Sequence, residues 1–146
     1  MQTPALDRSL ETPPLLVLLS LVTAGCMAAA VYMIFFVAPP EVLMGFVQKI
    51  FYFHVPSAWC LFLGVMVACV GSVGFLARRT DRWDRLGDAG TELAILFGTL
   101  VLMSGPLWGR KAWGAFWVWD VRLTSTLVLV LTMVAAKIVR SYAGGS

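Results

Sequence analysis

A chain of 146 residues that is 60% hydrophobic and only 13% charged cannot keep its surface in water, which excludes an ordinary soluble domain and places it in the membrane class. The formal charge of +3 is small and the basic residues form no run of five, which argues against nucleic acid as a partner. Cys26, Cys60 and Cys69 all lie in apolar runs, with no C-x-x-C and no C-x-x-C-H, so no paired-thiol motif for redox chemistry or covalent cofactor attachment is present. They are expected to pack as small buried hydrophobes.

In chain order, residues 1–13 read as a polar cytoplasmic tail with Asp7, Arg8 and Glu11. Residues 15–38 form the first span, long enough for a hydrocarbon core of roughly 30 Å at about 1.5 Å per residue. Its apolar stretch is too long and its start too weakly basic for a signal peptide, so it is expected to remain as an anchor. Pro39 and Pro40 end it. From Glu41 to Phe53 the apolar positions follow helical spacing, predicting a short amphipathic helix in the interface. It leads to His54, the single histidine. The second span is expected over 55–77, with Pro56 in its first turn and a stripe of Gly64, Ala68 and Gly71 suited to close helix packing. Residues 78–88 read as a charged loop, and 89–106 as a third span with Glu92 in its first turn. The fourth span is expected over 123–139, closed by Lys137 and Arg140, before a tail at 141–146. The fold class is therefore an all-α integral membrane protein of about four transmembrane helices, a membrane domain over 14–140.

Between the last two spans lies LWGRKAWGAFWVWDVRLTST, from Leu107 to Thr126. It holds Trp108, Trp113, Trp117 and Trp119 of the six tryptophans, with Arg110, Lys111, Arg122 and Asp120. If residues 113–120 are helical, Trp113, Phe116, Trp117 and Asp120 share one face. Two readings stand. One is an aromatic belt of the kind that gathers at bilayer interfaces without any ligand. The other is a flat shelf edged by cations, suited to a large planar apolar ligand carrying carboxylates, such as haem. No nucleophile with a base, no carboxylate pair, no phosphate loop and no metal-cluster spacing is visible, so no enzymatic activity is expected.

The run WGRKAWGAFWVWDVRLTS resembles the tryptophan-rich WWD signature of bacterial proteins that handle haem in cytochrome c maturation. Its ending, WDVRLTS, is similar to the CcmC branch, the haem exporter C family, and Phe116 and Lys111 stand where that signature has Trp and often Pro. KIFYFHVPSAW, from Lys49 to Trp59, resembles the histidine-containing segment ahead of the family's second membrane helix. The resemblance covers nearly the whole chain but about the first three-fifths of such a protein, which has roughly six membrane helices and a second functional histidine in its later half.

This resemblance implies transient binding of haem b and its handover to a periplasmic haem chaperone of the CcmE type, near ABC transporter components of the CcmA and CcmB type. It makes His54 the axial ligand of the haem iron, since neutral imidazole is the usual strong ligand. Trp108, Trp113, Trp117 and Trp119 would lie against the porphyrin, and Arg110, Lys111 and Arg122 would meet its propionates. Asp120 is a candidate at the same site, or a cap for the fourth span that also neutralises Arg122. With four spans, Arg8, Arg78, Arg79, Arg82, Arg85, Lys137 and Arg140 fall on one side and Lys49, Arg110, Lys111 and Arg122 on the other. The positive-inside bias then puts both termini in the cytoplasm and the His54 and tryptophan segments together on the outer face, which the resemblance implies is the periplasmic face of a bacterial inner membrane. Two rivals remain: a cytochrome b-like electron-transfer subunit, which needs more than one histidine per haem, and a cofactor-free assembly scaffold.

Overall fold

A computed structural model describes residues 13–143; the expected tail at 1–13 falls almost wholly outside them. Every long element among the described residues is helical: α1 (Pro14–Tyr32), α2 (Phe51–Arg78), α3 (Asp81–Trp113) and α4 (Val121–Ala143). All four, α1 with the turn that follows it and α2 with the turn that precedes it, are long and apolar enough to cross a membrane. Inside lipid a helix satisfies its own backbone polar groups, so an apolar surface of this kind is compatible with the bilayer core.

The chain divides into two compact units, residues 1–39 and 40–146. The first contains α1, which starts on Pro14 and buries none of its residues. Its final turn, Met33–Val37, widens to a π-helical one, with Tyr32 and Phe36 stacked at 5.3 Å between ring centroids. Ala38 then turns to extended backbone ahead of the two prolines.

The second unit begins with a correction to the expected interfacial helix at 41–53. Residues 41–45 close instead as a tight turn: the Gly45 N–H donates to the Glu41 carbonyl at 2.8 Å, and the Glu41 carboxylate accepts from the Leu43 N–H at 2.9 Å. Gly45 has φ +58°, a left-handed conformation that a helix cannot continue through and that glycine adopts without strain. A 3₁₀ segment, Phe46–Ile50, then feeds α2, so the helix starts before His54 and Pro56 lies inside it.

The expected charged loop at 78–88 is also corrected. Only Arg79 and Thr80 separate α2 from α3, with Arg79 at φ 50° donating its N–H to the Phe75 carbonyl. Asp81 and Asp84 occupy the first turn of α3, where carboxylates interact favourably with the helix dipole. The same helix runs past Pro106, expected to end the third span, and stops at Trp113. Its 33 residues measure about 50 Å, well beyond a hydrocarbon core of roughly 30 Å. Charge thus extends helically out of the apolar layer at both ends. The expected tail at 141–146 likewise starts as helix, since α4 continues to Ala143.

The small-residue stripe sets how α2 and α3 meet. Gly64, Ala68 and Gly71 are buried, as are Gly87, Gly90 and Ala94 opposite them. A Cβ on Gly64 would lie 2.7 Å from the Ala94 backbone nitrogen, and one on Gly90 would lie 2.9 Å from the Ala68 Cα. The helices therefore touch backbone to backbone, which only residues without bulk allow. At Gly98 the stripe meets the side chains of Leu61 and Val130, and the latter brings in α4. Leu61 is the largest fully buried side chain of this small core.

The cysteines depart from expectation. All three are free thiols, but Cys26 and Cys69 are exposed on outward helix faces and Cys60 is half-buried. In a membrane protein an outward face is itself apolar ground, so a thiol there needs no protein packing to be accommodated.

Candidate functional site

The glycine contact between α2 and α3 fixes what lies opposite what beyond it. Ten residues back along α2 from Gly64 is His54, and ten residues forward along α3 from Ala94 is Ser104. In an antiparallel pair equal steps keep residues facing, and the His54 Nδ1 lies 2.9 Å from the Ser104 hydroxyl oxygen. Gly105 adds to the close fit, since a Cβ there would stand 3.3 Å from the imidazole Cε1. Such a hydrogen bond between membrane helices is worth only about 0.6 kcal/mol on average, so its effect is to aim the ring rather than to hold the helices together.

His54 borders a cavity of about 310 Å³ formed by α2, α3 and α4. That is the lower end of the range of ligand pockets, roughly 300–1,000 Å³. Phe51, Phe62, Trp108 and Trp113 give it aromatic walls, and Arg122 supplies its cation. Trp108 meets Trp113 edge to face with centroids 5.2 Å apart, and Phe51 lies 6.3 Å from Trp108. Gly109 makes this possible: it is buried, and a Cβ there would press within 3.1 Å of the Trp113 ring. The Trp108 indole N–H is buried without a hydrogen-bond partner, an unsatisfied donor beside the cavity.

Beyond Trp113 the chain leaves the helix. Gly114, at φ +78°, returns its N–H to the Arg110 carbonyl at 3.1 Å in a left-handed cap, and Arg110 donates to the Gly114 carbonyl. Residues 114–120 are irregular, so the conditional helix over 113–120 and its shared face do not form. Asp120 then starts α4: its carboxylate accepts the Leu123 N–H at 2.7 Å, the expected capping role. It also pairs with Arg122 at 3.3 Å.

Of the residues singled out in the sequence, His54, Trp108, Trp113 and Arg122 converge on the cavity. Arg122 is not idle there, because its guanidinium stacks 4.9 Å from the Trp113 ring centroid. Trp117 and Trp119 do not line the cavity; they form their own edge-to-face pair at 5.6 Å. Arg110 stacks on Phe116 at 5.3 Å, and Lys111 is exposed outside the cavity lining. Sequence reasoning missed Ser104, Gly105, Phe51, Phe62 and Thr126. The signal for the first two was the Ser-Gly-Pro break in an otherwise apolar run, which reads as an approaching helix end until the facing histidine is known. Among the described residues, no group of three or more His, Cys, Asp or Glu side chains is placed to hold a bare metal ion.

The sequence is similar to a family of known proteins over most of its length. Residues 6–141 match the family described as Heme exporter protein C. A ccmC-like mitochondrial cytochrome c biosynthesis protein of Marchantia polymorpha is 36% identical over 109 residues, covering 75% of this chain and 48% of that protein. Heme exporter protein C of Bradyrhizobium diazoefficiens is 39% identical over 94 residues, 64% of this chain and 36% of the relative. The protein of that name in Escherichia coli K12 is 34% identical over 98 residues, 66% of this chain and 40% of its own length. The matched region is thus less than half the length of these relatives.

Proposed function

Because the chain belongs to the haem exporter protein C family, which links it to haem handling in cytochrome c biogenesis, we propose that the cavity beside His54 receives haem as cargo and passes it on. The observation that carries this reading is the convergence on one cavity of the single histidine, two indole rings and a cation from three different helices. A histidine nitrogen is a strong axial ligand for haem iron, indole faces bury porphyrin area, and a guanidinium suits a propionate. Trp117, Trp119 and Asp120 act from the adjoining segment, where they shape the rim rather than the wall. Arg110 and Lys111 offer further positive charge along it.

The same reading assigns the receiver and the setting. A haem chaperone of the CcmE type would take the haem, with CcmA and CcmB transporter components nearby. The cavity end would face the periplasm of a bacterial inner membrane, with both termini in the cytoplasm. The second unit supports the grouping behind that orientation: Arg78, Arg79, Arg82, Arg85, Lys137 and Arg140 gather at the end opposite His54 and Arg122. Single cysteines introduced at 82 and 115, with the natural cysteines replaced, should be labelled from opposite sides of the membrane; labelling of both from one side would reject the orientation.

The binding reading is tested on the purified membrane protein loaded with haem. His54→Ala should lose most of the bound haem, read from the Soret band, while inserting normally. The parent should release its haem to apomyoglobin, and to a CcmE-type chaperone, within the assay. Equal haem in mutant and parent would remove His54 as the ligand. Redox-active haem held against apomyoglobin for hours would point to the cytochrome b-like alternative, and absence of any Soret band to a scaffold.

A further inference from the structure

The contacts of Ser104 determine which nitrogen of His54 carries the proton. Its hydroxyl oxygen lies 2.6 Å from the Leu100 carbonyl, a good hydrogen-bond distance one helical turn back, against 3.5 Å to the Val101 carbonyl. A serine has one hydroxyl proton, and that proton belongs to the Leu100 carbonyl, an acceptor that can give nothing in return. Toward His54 the oxygen therefore presents only lone pairs, and the 2.9 Å contact requires the imidazole to donate from Nδ1. In a neutral ring a proton on Nδ1 leaves the lone pair on Nε2. Gly105 lets the ring edge lie against α3 without a side chain between them.

We propose that Ser104 is a positioning residue: it fixes His54 in the Nδ1–H tautomer and leaves Nε2 as the nitrogen presented to haem iron. The link to iron rests on the haem-binding reading above, whereas the tautomer does not. An outer partner of this kind orients a ligand and raises its basicity, and its removal typically costs about 10- to 100-fold in affinity. Without Ser104 the ring could turn or exchange its proton between nitrogens, and a fraction of the population would offer iron the wrong atom.

The single histidine makes the test direct, because ¹⁵N-histidine labelling of the full chain yields one imidazole spectrum. In the haem-free parent, Nδ1 should give the signal of a protonated nitrogen and Nε2 that of a bare one. Ser104→Ala should shift the pattern toward a mixture or toward the Nε2–H form, and Ser104→Thr, which keeps a hydroxyl able to bond the same carbonyl, should restore it. With haem bound, Ser104→Ala should lose it about 10-fold faster to apomyoglobin, with an altered iron–histidine vibration, and Ser104→Thr should stay close to the parent. A parent carrying its proton on Nε2, or an unchanged spectrum in Ser104→Ala, overturns the assignment. Equal haem loss in Ser104→Ala and Ser104→Thr would overturn the positioning role toward iron and mark the position as packing alone. A shifted tautomer with unchanged haem retention would overturn the role toward iron. If His54→Ala keeps its haem while the tautomer behaves as described, the haem reading fails and the tautomer assignment stands.

Discussion

The two ends of the α2–α3–α4 unit treat charge in opposite ways. At one end, Lys137 bridges Asp88 at 2.6 Å and Glu92 at 2.8 Å, while Arg140 reaches Asp84 and, at 3.3 Å, Asp88. Acid on α3 and base on α4 answer each other, so the polar groups serve to hold two helices in register. At the other end, Arg122 is 67% exposed, leans on an indole face, and shares one long ion pair with Asp120. The Trp108 and Trp117 indole N–H groups there are buried without partners. One end is closed by ion pairs between α3 and α4; at the other, more open end Arg122 lies against an indole at the edge of the cavity.

The small-residue stripe lies between the two ends, and breaking it should have the largest effect. A side chain on Gly90 would drive into the Ala68 backbone, which cannot yield as a flexible side chain would. Gly90→Leu should therefore destabilise the unit by about 1–3 kcal/mol or more, as overpacking does, and should abolish the His54–Ser104 contact because the facing register is lost. Thermal unfolding in detergent and the imidazole spectrum check both. Gly25→Leu in α1, where nothing lies within 4 Å of the added carbon, should be tolerated. If Gly90→Leu is equally mild, the stripe does not set the register that brings His54 to Ser104.

Replacing Lys137 sharpens the contrast by touching only the closed end. Lys137→Met leaves the Asp88 and Glu92 carboxylates facing each other without their shared cation. Stability should fall by less than for Gly90→Leu, and high salt should narrow the difference from the parent, as screening of partly exposed charges requires. Haem retention should stay at the parental level, since none of these groups borders the cavity. A large loss of haem in Lys137→Met would mean that the ends are not independent.

Much of this organisation was legible in the sequence, and the failures have physical causes. The Gly64, Ala68 and Gly71 stripe was readable because close packing demands small residues at helical steps, whatever the partner. Asp120 was readable as a cap because a carboxylate just ahead of an apolar run satisfies free N–H groups. Residues 81–88 were misread as a loop because charge was taken as a boundary; the helix simply continues beyond the apolar layer, with Gly87 still packed on Gly71. The face shared by Trp113 and Trp117 failed at Gly114, whose positive φ ends α3 in place. The Ser-Gly-Pro break marked Ser104 only as an approaching helix end, because its meaning depends on which residue of the partner helix faces it.

Asp120 carries the smallest expected effect and separates two roles within one side chain. Its carboxylate caps α4 through the Leu123 N–H at 2.7 Å and pairs with Arg122 at 3.3 Å, the latter between groups 38% and 67% exposed. An exposed ion pair contributes little, roughly 0–1 kcal/mol, whereas loss of an N-cap typically costs about 1 kcal/mol. Asn keeps the capping oxygen and removes the charge; Ala removes both. Asp120→Ala should therefore lower stability by about 1 kcal/mol, and Asp120→Asn should stay near the parent in thermal unfolding. Haem retention in Asp120→Asn should match the parent, since freeing Arg122 from one long contact leaves its stacking on Trp113 in place. Equal destabilisation by both substitutions would show that the charge, not the cap, matters at this junction, and that the open end depends on an ion pair much as the closed end does.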